Sequence, residues 1–157
     1  MFEAVEGTLA KIDKKAFEQR EAKLRTRLLD MQYSILEAKQ FPVVILINGV
    51  TAAGKGETVN LLTEWMDPRH IQAHAMPPPT DEELERPPMY RFWRRLPARG
   101  KIGIFFGSWY SQPIIAQALG DSKRKVFEAA LDEIRFFESM LAAEGALIVK
   151  YWFHLSK

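Results

Sequence analysis

A short apolar run, residues 43–47, leads into a loop bounded by Gly49 and Gly54 and followed by Lys55. The run is too short for a free helix and rich in β-branched residues, which favours a buried strand of a parallel sheet. The segment after the loop has the apolar spacing of a helix. A strand, a glycine-bounded loop and a helix in this order form a cradle for an anion, because loop N–H groups and the positive end of the helix face one site.

The spacing of this loop fits the usual phosphate-loop pattern, in which the lysine adds a full positive charge. Gly56 stands where a serine or threonine normally binds magnesium, and the first hydroxyl after this position belongs to Thr58. The alternative is a glycine-rich turn with a lysine at the surface. The predicted phosphate-binding residues are Gly49, Thr51, Ala52, Ala53, Gly54, Lys55, Gly56 and Glu57.

The length and composition of the chain restrict the class of protein. A chain of 157 residues suits one domain, which we predict over residues 1–157. The absence of cysteine excludes disulfides and thiolate metal sites, and three histidines do not favour a zinc site. No apolar run reaches the ~18 residues of a membrane span, and the first six residues lack the order of a secretion signal. We therefore expect a cytoplasmic protein without a membrane partner. The net charge of +2 is too small to indicate nucleic acid.

The rest of the chain alternates between predicted helices and strands. Helices are predicted over residues 14–39, 55–66, 111–119 and 122–143, with short helices within 81–96. Strands are predicted over residues 43–48, 71–76, 102–106 and 146–153. This alternation is typical of an α/β fold with a parallel sheet, whose ligands bind beyond the carboxyl ends of the strands. An apolar stripe predicts the buried face of the first helix, formed by Phe17, Leu24, Leu28, Met31 and Ile35.

Residues 77–100 form a long connection that carries arginines beside aromatic residues. Long ordered connections in α/β enzymes are often lids, and the planar fork of an arginine can bind two phosphate oxygens. We therefore predict a lid whose Arg91, Arg94 and Arg95 act on phosphate during catalysis. The alternative is a solvated helix, with Phe92 and Trp93 packed inward and the arginines in water.

The third predicted strand ends without an acidic residue. A nucleotide phosphotransferase of this architecture normally ends this strand with an aspartate for magnesium, but Phe106 and Gly107 stand there. This absence argues against a general ATP-dependent kinase of small molecules. Ser108 is predicted to have at most a minor role. Trp109 and Tyr110 either stack on a base or belong to the core, and the core is favoured.

Six motifs together resemble the polyphosphate kinase 2 family. They are NGVTAAGKG at 48–56, EWMDPR at 64–69, PTDEE at 79–83, RFWRRLP at 91–97, SWY at 108–110 and WFHLSK at 152–157. The resemblance implies a three-layer P-loop kinase-like fold with a central parallel sheet and a helical lid. It also implies phosphoryl transfer between inorganic polyphosphate and a nucleotide, with Mg²⁺ bridging the phosphates. The chain is most similar to the N-terminal half of tandem members, in which AMP is the acceptor and ADP the product.

Two departures from the family motifs are important. Thr51 stands where the family loop has an aspartate, and Phe106 and Gly107 replace the Asp-Arg pair that precedes the SWY motif. By position, the resemblance makes Lys55 and the lid arginines the catalytic residues of a domain that binds phosphate but is weakened in catalysis. Its partner would be a second domain of the same family or another copy of the chain. The alternative is a non-catalytic structural or dimerisation domain that packs on a catalytic twin. We also expect the chain to lack the C-terminal helices with which a family domain continues.

Overall fold

A computed structural model of the protein describes residues 13–155; Ser156, Lys157 and the first twelve residues, including those tested for a secretion signal, lie outside that range. A parallel sheet of four strands has the order β2-β3-β1-β4. The strands are β1 Val43–Gly49, β2 Ile71–Ala75, β3 Ile102–Phe106 and β4 Leu147–Phe153. The helices are α1 Lys14–Ala38, α2 Lys55–Trp65, α3 Asp81–Leu84, α4 Tyr90–Trp93, α5 Ser111–Leu119 and α6 Arg124–Ala143. Every predicted element is confirmed, with bounds that shift by two residues at most.

Strand β1 lies inside the sheet and separates two apolar layers. Its side chains alternate between the faces, so Val44 and Leu46 point to one layer while Ile45 and Ile47 point to the other. The first layer is completed by the buried side chains of Phe92, Phe105, Trp109, Ile134, Phe137 and Leu141. The second is completed by those of Val43, Met66, Ile71, Ile102 and Ile104. Burial on both faces explains why β1 reads as a continuous apolar run, and the predicted three-layer α/β arrangement is confirmed.

The packing of α1 corrects one prediction. Its N-cap is Asp13, as the sequence suggests, and Leu28 and Ile35 pack against the second layer. Phe17, Leu24 and Met31, however, are 52%, 48% and 45% exposed. The buried residue of the helix is polar: Gln32 donates from Nε2 to the Asp67 carbonyl at 2.9 Å and accepts from the Asp67 N–H at 2.7 Å. Gln32 can be buried because both ends of its amide have partners.

The strand order creates a crevice at the carboxyl edge of the sheet. The chain passes from β1 to the outer strand β2, returns to β3 beside β1, and then crosses to β4 on the other side. Connections therefore leave β1 and β3 in opposite directions, which is where ligands bind in open parallel sheets. The loop after β1 and the segment after Phe106 both lie at this edge, where the Gly107 N–H donates to the Ile47 carbonyl at 3.1 Å.

Candidate functional site

The loop between β1 and α2, residues 49–54, adopts a backbone conformation that suits its glycines. Gly49 and Gly54 have φ angles of 131° and 85°, and Ala52 between them has a φ of 60°. Gly54 is the N-cap of α2 and has no side chain with which to accept from the first N–H groups of the helix. The positive end of α2 is therefore directed at the loop without a capping side chain.

Lys55 lies back over this loop. Its ammonium group donates to the Gly49 carbonyl at 2.9 Å and to the Val50 carbonyl at 2.5 Å. A cleft of about 750 Å³ opens beside it, between the loop, the end of β3 and α5. Lys55 is the one charged side chain among the described residues that line the cleft, which also include Thr51, Phe106 and Trp152. The cleft thus combines one positively charged side chain with largely apolar walls.

A buried polar network forms the floor of the cleft between β1 and β3. Asn48 is 8% exposed, and its Oδ1 accepts from the Ser108 hydroxyl at 3.0 Å and the Ser111 hydroxyl at 3.4 Å. The two hydroxyls in turn accept from backbone N–H groups, Ser108 from Tyr110 at 3.2 Å and Ser111 from Ser108 at 2.9 Å. Sequence reasoning gave no separate role to Asn48 or Ser111. The one sequence feature that could have indicated a role for Asn48 is its position as an amide side chain at the end of an otherwise apolar strand.

The predicted lid contains an ion-pair cluster around Glu83. Arg91 has a side chain only 9% exposed, lies 3.4 Å from Glu83 Oε2, and donates to the Pro77 carbonyl at 2.6 Å. Arg95 donates to the Arg91 carbonyl at 2.6 Å and lies 3.5 Å from Glu83 Oε1. The Arg94 guanidinium stacks over Tyr90. The structure thus brings the predicted arginines together. Arg91 and Arg95, however, already contact Glu83, and each donates to a backbone carbonyl.

The alternative interpretation of the lid, a helix with both aromatic residues inside and all arginines in water, describes it only in part. Phe92 is buried at 7% exposure, whereas Trp93 is 49% exposed. Of the three arginines, Arg91 is buried, Arg95 is partly buried and Arg94 is exposed to solvent. Whether these arginines act on phosphate stays a prediction.

A second cavity, of about 710 Å³, lies between the lid, α5 and α6. Arg91 lines it, together with the aromatic rings of Phe92 and Trp109. The walls of the cavity and of the Lys55 cleft share the residues Met76, Pro77, Ser111 and Ile115. Both spaces have the volume of small-molecule sites, and they lie side by side along the shared residues.

The aromatic residues after β3 belong to the core, as the sequence favoured. Trp109 is 3% exposed and donates from Nε1 to Glu138 at 3.0 Å. Lys150 of β4 donates to the other oxygen of Glu138 at 2.8 Å and to the Tyr110 hydroxyl at 3.3 Å. Burial raises the pKa of Tyr110. Burial lowers the pKa of Lys150, but the hydrogen bonds to Glu138 and Tyr110 outweigh it, so that pKa lies above its usual value.

The residues of the cleft do not fit a magnesium ion held by the protein. Carboxylates are the usual protein ligands of Mg²⁺, and none lines the cleft among residues 13–155. In that same range no three histidine, aspartate or glutamate side chains come together as a metal site would require. The Thr58 hydroxyl, the first after the loop, donates to the Gly54 carbonyl at 2.9 Å within its own helix.

The parallel strand order, the helices around the sheet and the glycine-bounded loop after the inner strand β1 define a P-loop kinase-like α/β protein. Comparison with protein families narrows this class. Residues 11–157 match the family described as polyphosphate kinase 2 (PPK2), and the chain belongs to that family.

Relatives and solved structures agree with this assignment. The chain is 53% identical over its full length to a polyphosphate:AMP phosphotransferase of Pseudomonas aeruginosa and 48% identical to one of Pseudomonas syringae. It spans only 32% and 31% of those two proteins.

A crystal structure of a putative polyphosphate kinase 2 from P. aeruginosa superposes on the whole chain with a TM-score of 0.94 at 52% identity, and the chain covers 34% of it. Polyphosphate kinase 2 from Arthrobacter aurescens superposes on 96% of the chain with a TM-score of 0.86 at 27% identity, and 58% of that chain is covered. No helix in the described part combines the length and apolar character needed to cross a membrane.

Proposed function

We propose that this chain is the polyphosphate-binding part of a cytoplasmic transferase that converts AMP and polyphosphate into ADP, and that the domain itself is weak in catalysis. The observation that carries the proposal is the cleft of about 750 Å³ in which Lys55 is the one charged lining residue among those described. Relatives named polyphosphate:AMP phosphotransferase support the reaction, although they are about three times longer than this chain.

Lys55 would provide the main attraction for the phosphate chain. A lysine ammonium group has three donors, and two of them point to the Gly49 and Val50 carbonyls. The third remains for a phosphate oxygen, and the other two can exchange a neutral carbonyl for an anionic oxygen. The exchange replaces a contact between a charge and a dipole with one between two opposite full charges, which favours the ligand.

Weak catalysis follows from what the cleft lacks. Phosphoryl transfer depends on positioning the two phosphates and on stabilising charge that develops between them. Phe106 and Thr51 stand where the family motifs have carboxylates, and Phe106 presents an apolar ring to the cleft. Magnesium stays a proposal: it would enter as a counterion of the polyphosphate, because the described residues of the cleft do not supply ligands for it.

The lid and the second cavity would serve the acceptor nucleotide. The cavity of about 710 Å³ offers apolar and aromatic walls for a base, and Arg91 lies in its lining. Arg91 and Arg95 share Glu83, so each must exchange a carboxylate for a phosphate before it can act on the substrate. We include Arg94 in this role because it is the exposed member of the group.

Two assays on the purified domain test the proposal. Calorimetric titration with polyphosphate should show binding that Lys55→Ala abolishes and that Lys125→Ala, which removes the same charge from an exposed position of α6, leaves intact. With AMP, polyphosphate and magnesium, ADP formation should be about 100-fold or more slower than in a full-length relative. Binding that survives Lys55→Ala, or turnover as fast as that of the relative, would overturn it.

A second candidate function is a non-catalytic domain that packs on a catalytic twin or on another copy of itself. Phe17, Leu24 and Met31 favour it, because they lie seven residues apart on α1 and are all about half exposed. A repeat of seven is the spacing at which helices pack against each other. This function predicts no heat with polyphosphate and a dimer in light scattering that Leu24→Glu dissociates. A monomer that binds polyphosphate excludes it.

A further inference from the structure

The orientation of the Asn48 side chain is fixed by the hydrogen bonds beneath it. The N–H groups of Tyr110 and Ser108 donate to the hydroxyls of Ser108 and Ser111. A backbone N–H can only donate, so each hydroxyl uses a lone pair there and keeps its proton for another partner. Both hydroxyl protons go to one oxygen, Oδ1 of Asn48. The amide oxygen is thus held toward the serines.

The amide nitrogen of Asn48 must therefore face away from the serines, toward the cleft. Asn48 lines the cleft beside Gly49 and Lys55. Within residues 13–155, the side-chain hydrogen bonds of Asn48 are the two that its Oδ1 accepts from the serines. Nδ2 is thus on the side of the amide opposite the serines, in a residue that borders the cleft although it is only 8% exposed as a whole.

We propose that Asn48 is a phosphate-binding residue whose Nδ2 donates a hydrogen bond to an anionic oxygen of the polyphosphate chain held by Lys55. The proposal rests on the proposed function, and it adds a neutral donor to the same site. A donor that is already oriented in the empty cleft loses little conformational freedom when the ligand binds. A neutral amide also remains a donor at every pH at which the phosphate is ionised.

One substitution separates this role from a purely structural one. Asn48→Asp keeps an oxygen for the hydroxyls of Ser108 and Ser111, so the network beneath it is preserved. It replaces the cleft-facing NH₂ with an oxygen of a carboxylate, which can only accept and carries negative charge. Unchanged affinity would exclude phosphate from the surroundings of Asn48, whereas contact predicts a large loss from the missing donor and the added negative charge. Because repulsion alone also weakens binding, the NH₂ resonance described below reports the contact itself. Asn60→Asp, on the exposed side of α2 and outside the cleft lining, is the matched change of charge.

The test is calorimetric titration with sodium tripolyphosphate in buffer with EDTA, so that no metal mediates the contact. We expect Asn48→Asp to bind about 10-fold more weakly or worse, because a hydrogen bond to a charged group is lost and a repulsion is added. We expect Asn60→Asp to stay within about twofold of the parent protein. Equal affinity of Asn48→Asp and the parent would overturn the assignment.

A spectroscopic measurement on the unchanged protein covers the case in which Asn48→Asp does not fold. Tripolyphosphate should shift the side-chain NH₂ resonance of Asn48 in a nitrogen–proton correlation spectrum. Shifts in the amides of the 49–54 loop without a shift of this NH₂ would overturn the role of Asn48 and leave the proposed function standing. A parent protein that binds no tripolyphosphate would overturn both, so the two failures are distinguishable.

Discussion

The backbone of Gly49 lies directly against the carbonyl of Phe153. A Cβ at position 49 would sit 2.1 Å from that oxygen, and the φ angle of Gly49 is 131°. The next residue, Val50, donates its N–H to the same carbonyl at 3.0 Å. The start of the 49–54 loop is thus attached to the end of β4, and the position of the candidate phosphate site depends on a neighbouring strand that is distant in sequence.

The two glycines that bound this loop should respond differently to alanine. Gly54→Ala meets no atom within 4 Å and should cost only the left-handed backbone strain, about 1–2 kcal/mol of the free energy of unfolding. Gly49→Ala must displace Phe153 and break the hydrogen bond of Val50, so we expect about 4 kcal/mol or more. Urea unfolding of both variants measures the difference, and equal losses would contradict the close contact at Gly49.

The ion-pair cluster of the lid predicts that Glu83→Gln destabilises the fold. Arg91 is buried and faces the carboxylate, so the change leaves a buried guanidinium without its counterion. We expect a loss of about 3 kcal/mol in the free energy of unfolding. Glu82→Gln is the matched control, because its partner Arg86 is exposed and such pairs contribute little. Similar losses in both variants would show that Glu83 does not hold the lid.

Gln32 should be important for stability although it lies in a helix full of exposed residues. It satisfies both the N–H and the carbonyl of Asp67 at the end of α2. Gln32→Leu leaves these two groups without partners, which should cost about 2–4 kcal/mol. The exposed Gln19→Leu in the same helix should change the free energy of unfolding by less than about 0.5 kcal/mol. Thermal unfolding monitored by circular dichroism compares the two, and an unaffected Gln32→Leu would contradict the packing of α1.

His74 predicts how stability changes with pH. Burial, assisted by the positive charge of Arg95, lowers the pKa of His74 below its usual 6.5. The unfolded chain therefore takes up a proton on this side chain at a higher pH than the folded protein does. The free energy of unfolding should be constant above about pH 7.5 and fall as the pH drops below 6.5.

The variant His74→Gln isolates this effect. It should flatten the dependence of the free energy of unfolding between pH 5 and 7.5. Asp67 does not interfere, because hydrogen bonds from Arg69 lower its pKa and move its titration to more acidic solution. A dependence of the same size in His74→Gln and in the parent protein would show that another group is responsible.

Local patterns were enough to predict the elements of the fold. The alternation of apolar runs, glycines and prolines predicted the strands and α-helices of the described range, because each pattern reports the burial of its own segment. It did not predict the short 3₁₀ helix Pro68–His70. The face of α1 was predicted wrongly for Phe17, Leu24 and Met31. Their spacing continues the stripe of Leu28 and Ile35, which do pack against the second layer, but a periodic pattern cannot show what lies opposite each residue.

The contacts of the candidate site depend on pairs of residues that belong to different elements of the fold. Asn48 meets Ser108, Gly49 meets Phe153, and Arg91 meets Glu83. The loop, its lysine and the arginine cluster could be recognised from residue types and spacing. The occupation of the arginines by Glu83 and the orientation of the Asn48 amide could not, since both follow from three-dimensional neighbours that no local pattern encodes.

A crystal structure of the domain soaked with tripolyphosphate tests the central claim most directly. We expect phosphate density in the cleft, with an oxygen within hydrogen-bond distance of Lys55 Nζ and with that ammonium group released from the Gly49 carbonyl. The account would be contradicted by density bound elsewhere, or by none, while Lys55 still donates to the carbonyls of Gly49 and Val50.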